Sequence, residues 1–86
     1  AKNLQTALVL WASEKGDYPA DTDIGSYAGL KETLNAYLSL PDAEERATFY
    51  FGSYQKLSGN FKLYIYARDS GTTDIYIYKN DIIEVP

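Results

Sequence analysis

The sequence predicts an α+β fold: an N-terminal helix plus a short second helix packed on a three- to four-stranded antiparallel meander sheet. Three observations predict it. Leu4, Leu8, Trp11 and Lys15 recur at the i, i+4, i+7 spacing of a helix face. The apolar period changes from 3.6 to 2 at about residue 47. From there, short turn signals separate successive strand-like runs, which favours hairpins over crossovers.

Residues 1–15 read as the first helix, with Ala1 and Ala7 beside the stripe. The polar residues do not gather on one opposite face, and Val9 is apolar on the side that should be wet. Such a helix has more apolar surface than one sheet can cover. No Ser, Thr or Asp cap with an acidic first turn precedes the pattern, so the chain opens like the middle of a helix and an upstream portion is expected. Gly16 closes the helix as a left-handed cap. Pro19 then forces Tyr18 into an extended conformation.

Residues 16–46 connect helix to sheet. Residues 16–25 are a polar loop, and Ser26 caps a second helix over 26–39. Its stripe is Tyr27, Leu30, Leu34, Tyr37 and Leu38, and Pro41 stops it. The run 42–46 is a charged connection with room for one helical turn.

Residues 47–86 form the sheet. Thr48–Phe51 is a first strand and Ser58–Asn60 a turn. Phe61, Leu63, Ile65 and Ala67 then alternate with Lys62, Tyr64, Tyr66 and Arg68. A loop over 69–73 leads to a third strand, where Ile75 and Ile77 alternate with Asp74, Tyr76 and Tyr78. After the turn at 79–81, residues 82–85 add a fourth. The alternation puts the Phe, Leu and Ile residues on the helix-covered face and a row of tyrosines on the other.

Composition narrows the function. Eighty-six residues suit a single domain, 1–86, with a stability on the order of 3–5 kcal/mol unless assembly adds to it. There is no cysteine, histidine or methionine. Disulfides, thiolate–imidazole zinc sites and Ser–His or Cys–His nucleophile pairs are therefore excluded. The net charge is -4, and most of the acids fall within 14–45. Phosphate recognition needs a basic stripe, so nucleic acid is excluded as a partner. The longest apolar run, Ala7–Ala12, is far too short to span a bilayer. No catalytic or cofactor-binding constellation is found. Adjacent Glu44 and Glu45 point apart, and Asp17 with Asp21 has no apolar pocket to raise a pKa. The run from Asp21 to Glu32 fails as an EF-hand, since Gly25 and Ser26 occupy positions five and six. An enzyme is not expected.

The stretch Asn3-Leu4-Gln5-Thr6-Ala7-Leu8, then Trp11, then Gly16-Asp17-Tyr18-Pro19, resembles the helix end of type IV pilins and type II secretion pseudopilins. Those proteins show "Leu-x-x-Ala-Leu-x-x-Tyr" followed by "Asn-Gly-x-Tyr-Pro". Trp11 stands at the aromatic and Lys15 at the Asn. Leu34–Pro41 fits the family's second-helix slot. The resemblance implies a structural filament subunit, not an enzyme. It further implies a leader cut by a prepilin peptidase, then an apolar segment that first anchors the chain in the inner membrane and later forms the filament core. The part seen here would be a bacterial headgroup, periplasmic or on an extracellular filament, held by sister subunits and the inner-membrane assembly machinery. Disulfide-closed pilins are a poorer match, as there is no cysteine. Major pseudopilins bind calcium in a late Asp- and Gly-rich loop. The carboxylates that could do so here are Asp69, Asp74 and Asp81, in a sparser pattern that ordinary turn chemistry also explains.

The interface candidates are Leu4, Val9 and Trp11 on the helix, and Tyr64, Tyr66, Tyr76 and Tyr78 on the outer sheet face. Tyrosine is enriched at interfaces, so the alternative reading is an adhesion or ligand-binding module working through that face, with carbohydrate as one candidate.

Overall fold

The computed structural model describes residues 1–68 and 73–86. Helix α1 spans Lys2–Lys15 and helix α2 spans Tyr27–Thr33. Strands β1 (Phe49–Leu57), β2 (Asn60–Ala67), β3 (Asp74–Ile77) and β4 (Ile82–Val85) form one antiparallel sheet in chain order. The α+β meander is therefore observed. Single 3-10 turns lie at Asp21–Ile24 and Glu44–Arg46. Among the described residues, no helix is long and apolar enough to cross a membrane.

Helix α1 ends where a residue without a Cβ permits it. Gly16 adopts φ 88°, and its N–H donates to the Ala12 carbonyl at 2.8 Å. The helix buries Leu4, Gln5, Ala7 and Leu8. The apolar members join Phe61, Leu63, Ile65 and Ile77 of the sheet, and Ile24, Leu30 and Leu34 of the connection, in one core. Burial of this apolar surface is the main stabilising term. Gln5 sits in that setting at 7% exposure because its Nε2 donates to the Tyr78 carbonyl at 2.9 Å. Helix and sheet are thus joined by one directed bond as well as by packing.

Ser26 caps α2 as expected, its Oγ accepting the Gly29 N–H at 3.1 Å. The helix is shorter than the predicted 26–39. Beyond Thr33 the chain tightens into turns, with Tyr37 N–H bonding the Leu34 carbonyl at 2.9 Å. Leu34 remains buried and Tyr37, Leu38 and Leu40 still pack against the core. The apolar spacing was therefore real, but the backbone meets it with turns.

The first strand is longer than the four residues predicted. Phe49 and Phe51 lie opposite Ala67 and Ile65, yet Tyr54 lies opposite Leu63. The register shifts between Phe51 and Ser53 by a β-bulge. Gly52 is the extra residue, and the reason is contact. A Cβ at this position would overlap the Tyr64 ring carbons Cδ2 and Cε2 and lie 2.8 Å from the Tyr64 carbonyl oxygen. The aromatic ring of Tyr64 occupies the space a side chain would need.

The outer edge of β1 is covered by carboxylates from the connection. Phe51 N–H donates to Glu44 Oε2 at 2.7 Å, and Lys56 N–H donates to Asp21 Oδ1 at 2.6 Å. Lys56 Nζ also meets Asp17 Oδ2 at 2.7 Å. That lysine, with the Tyr18 N–H, holds the Asp17 carboxyl below its ordinary value of 3.8. Two buried tyrosines tie the connection down further. Tyr54 donates to the Pro19 carbonyl at 2.8 Å, and Tyr27 to the Pro41 carbonyl at 2.7 Å. Burial pushes the Tyr54 phenol well above its ordinary range.

Gly52→Ala is expected to cost about 1–3 kcal/mol in chemical denaturation, the usual range for overpacking. Gly25→Ala is the control. Gly25 has φ -98° and nothing within 4 Å of a built Cβ, so this change is expected to be neutral or stabilising by about 0.4–1 kcal/mol.

Candidate functional site

Opposite residues of an antiparallel pair share a face, so the ladder sets the outer surface directly. Tyr50 lies opposite Tyr66, Tyr64 opposite Tyr76, and Tyr76 opposite Ile83. The rings form a continuous row. Centroids are 5.1 Å apart for Tyr50–Tyr66, 6.0 Å for Tyr64–Tyr66 and 5.0 Å for Tyr64–Tyr76. The two cross-strand pairs are stacked, with interplanar angles of 26° and 22°.

Cations stand over the rings at both ends. The Arg68 guanidinium carbon lies 3.9 Å from the Tyr50 centroid, and Lys62 Nζ lies 5.3 Å from that of Tyr76. Arg68 is anchored by donating from Nε to the Ala47 carbonyl at 2.9 Å and from Nη1 to the Tyr50 hydroxyl at 2.7 Å. Its Nη2 donates to the Glu44 carbonyl. Lysine could not reproduce this planar fork. In the middle of the row, the Tyr64 hydroxyl donates to Asp74 Oδ1 at 2.8 Å, and that bond pushes the phenol up to about 12.

Three of the predicted tyrosines, Tyr64, Tyr66 and Tyr76, are therefore brought together. Tyr78 is not. It lies past the end of β3, its N–H bonds the Asp81 carbonyl at 2.8 Å, and its ring joins no stacked pair among the described residues. Tyr50 is a member that sequence reasoning missed. It falls inside the predicted strand Thr48–Phe51, but a run of four residues does not show which face it serves, and its place in the row comes from its pairing with Tyr66.

On the helix, Leu4 is corrected as an interface candidate. It is 3% exposed and belongs to the chain's own core. Its place on the i, i+4 stripe with Leu8 is what turns it inward. Val9 is half-buried beside Tyr18, Gly59 and Lys79 along a shallow cleft of about 300 Å³. Trp11 is half-buried and packs on the core edge, with Lys15 Nζ 5.9 Å from its ring. It lines a polar cleft of about 480 Å³ with Lys15, Asp23, Glu32 and Thr33. Among the described residues, the large apolar groups left exposed are Leu10 at 46%, Ile83 at 49% and Val85 at 44%, joined by Tyr66 at 37%. Apart from Tyr66, sequence reasoning did not single these out. Leu10 could have been found by its angle from the Leu4–Leu8 stripe.

Of the calcium candidates, Asp69 lies outside the described residues. Asp74 and Asp81 flank opposite ends of β3, and Asp74 is already bonded to Tyr64. Among the described residues, no group of three or more acidic side chains could hold a metal ion. Comparison of the chain with protein-family models, curated proteins and solved structures finds no match.

The Tyr64–Asp74 bond makes a titration prediction. The phenol's ordinary value of 10.0 is raised to about 12 in the folded state. Its stabilising contribution is therefore complete below pH about 10 and fades as pH rises toward about 12. Asp74→Asn removes the carboxylate acceptor, and the Tyr64 ring resonances should then titrate closer to 10.0. An unchanged titration would mean the bond does not hold the proton.

Proposed function

We propose that this chain is the headgroup of a filament subunit of the type IV pilin and type II secretion pseudopilin class, with no catalytic role. The observation that carries the reading is how α1 is used. It buries only Leu4, Gln5, Ala7 and Leu8, leaving Leu10 46% exposed and Val9 and Trp11 half-covered. A helix with one face on its own sheet and apolar groups on its flank suits packing against sister subunits. The order of parts agrees: a glycine-capped helix, Tyr18-Pro19, a connection bonded along the edge of β1, and an antiparallel meander. In this reading a prepilin peptidase acts on the precursor and an apolar segment anchors it in the inner membrane. The headgroup is then periplasmic or displayed on an extracellular filament.

The adhesion reading draws on the exposure of Tyr66, Ile83 and Val85. It ranks second because the stacked rings turn faces toward each other, and sugars pack on open ring faces.

The test begins with the coding sequence upstream of Ala1. A leader ending in Gly, then Phe-Thr-Leu-Ile-Glu and a long apolar run, is expected, and a start codon within a few residues of Ala1 would sink the proposal. In the full-length protein, Leu10→Glu should leave headgroup stability within about 0.5 kcal/mol of the parent, as surface changes usually do. Filaments sheared from cells and imaged by electron microscopy should be lost. Normal filaments from this variant would count against the role given to the α1 flank.

A further inference from the structure

The two edges of the sheet are treated differently. Along β1, the side chains of Glu44 and Asp21 accept the N–H groups of Phe51 and Lys56, so an incoming strand finds those donors taken. Among the described residues, strand β4 has only β3 beside it. Its Ile83 and Val85 are 49% and 44% exposed on the outer face, where a neighbouring strand's side chains would cover them. Glu84, on the opposite face, is exposed, and so is Asp81 in the preceding turn. Neither has an ion-pair partner among the described residues, and Lys79 is the one cation of that turn.

We propose that the free edge of β4 is a docking site for an extended segment of a partner protein that adds a fifth strand. The segment has β-branched or other apolar residues at alternate positions and a lysine or arginine between them. Strand addition draws affinity from main-chain bonds and specificity from alternate side chains. The alternate apolar residues would lie beside Ile83 and Val85, and the cation beside Glu84. Charge selects against a second copy in this place. Each copy carries a net charge of -4. Antiparallel pairing of β4 with itself, Ile83 opposite Val85, would set Glu84 opposite Glu84. The neighbouring same-face register, Ile83 opposite Ile83, would set Ile82 opposite Glu84 and Asp81 opposite Val85. Like charges or apolar–charged mismatches arise either way. The inference does not depend on the filament reading.

The probe is the blocked peptide Thr-Val-Lys-Val-Thr, titrated into the isotopically labelled chain and followed by amide shifts. Saturable shifts confined to residues 82–85 and their β3 neighbours are expected. Replacing the peptide's lysine by glutamate should weaken binding about two- to fivefold, the scale of one exposed ion pair. Glu84→Lys should reverse that preference. Tyr78 N–H donates to the Asp81 carbonyl, which turns the main-chain groups of Ile83 and Val85 toward β3 and leaves those of Ile82 and Glu84 for the new strand, so N-methylation of the peptide's lysine should abolish the shifts. Four results would overturn the proposal: no shifts, equal binding by the N-methylated peptide, shifts centred on α1 or β1, or self-association through β4 without peptide.

Discussion

The register between β1 and β2 governs the molecule. Side chains on a strand alternate with period two, so a slip of one residue would exchange the core face for the wet face. In β2, Phe61, Leu63 and Ile65 are buried, while Tyr64 and Tyr66 look outward. The β1 strand must match this over nine residues although its own alternation changes phase at Gly52. The bulge absorbs the change. Phe49 and Phe51 before it, and Tyr54 after it, then share the core face. The Tyr64 ring lies over the glycine, tying the core pairing to the position of the outer aromatic row.

Other parts depend on that registration. Glu44 can accept the Phe51 N–H only because the bulged segment is held where it is, and Arg68 can reach both the Glu44 carbonyl and Tyr50 from the end of β2. The acidic connection, where most of the chain's acids fall, supplies carboxylates that cover the β1 edge. Its acids thus have a structural duty, and an edge so covered is a poor template for association. The contrast with β4 follows from the same observation.

Much of this was legible in the sequence, and the misses have definable causes. Strong local signals carried the outline. Gly16 closed α1, Ser26 capped α2, and the alternation from Phe61 to Arg68 placed β2 and the tyrosine face. The fourth strand fell on residues 82–85 as expected. The signals failed where tertiary contact decides. The spacing from Tyr27 to Leu38 fits a helix, but the chain after Thr33 meets its core contacts with turns. The second half of β1 was lost because a bulge breaks a period-two pattern, and Tyr50, though inside the predicted strand, joins the outer row only through its pairing with Tyr66. Leu4 was given a neighbour's surface when its own core takes it. A resemblance carried by residues 3–19 suggests a class of function, whereas the stacked row, its cations and the Tyr64–Asp74 bond rest on pairings between distant residues.

The most direct test of the register is a double-mutant cycle between Gly52 and Tyr64. Tyr64→Val removes the ring while keeping a strand-forming side chain. If the ring over Gly52 fixes the pairing, Gly52→Ala should cost less in the Tyr64→Val background than in the parent, with a coupling of about 1 kcal/mol or more from denaturant midpoints. Additive costs, with no coupling beyond about 0.3–0.5 kcal/mol, would mean that the Tyr64 ring does not occupy the space of the missing side chain, and the tie described here between the bulge and the outer aromatic row would be contradicted.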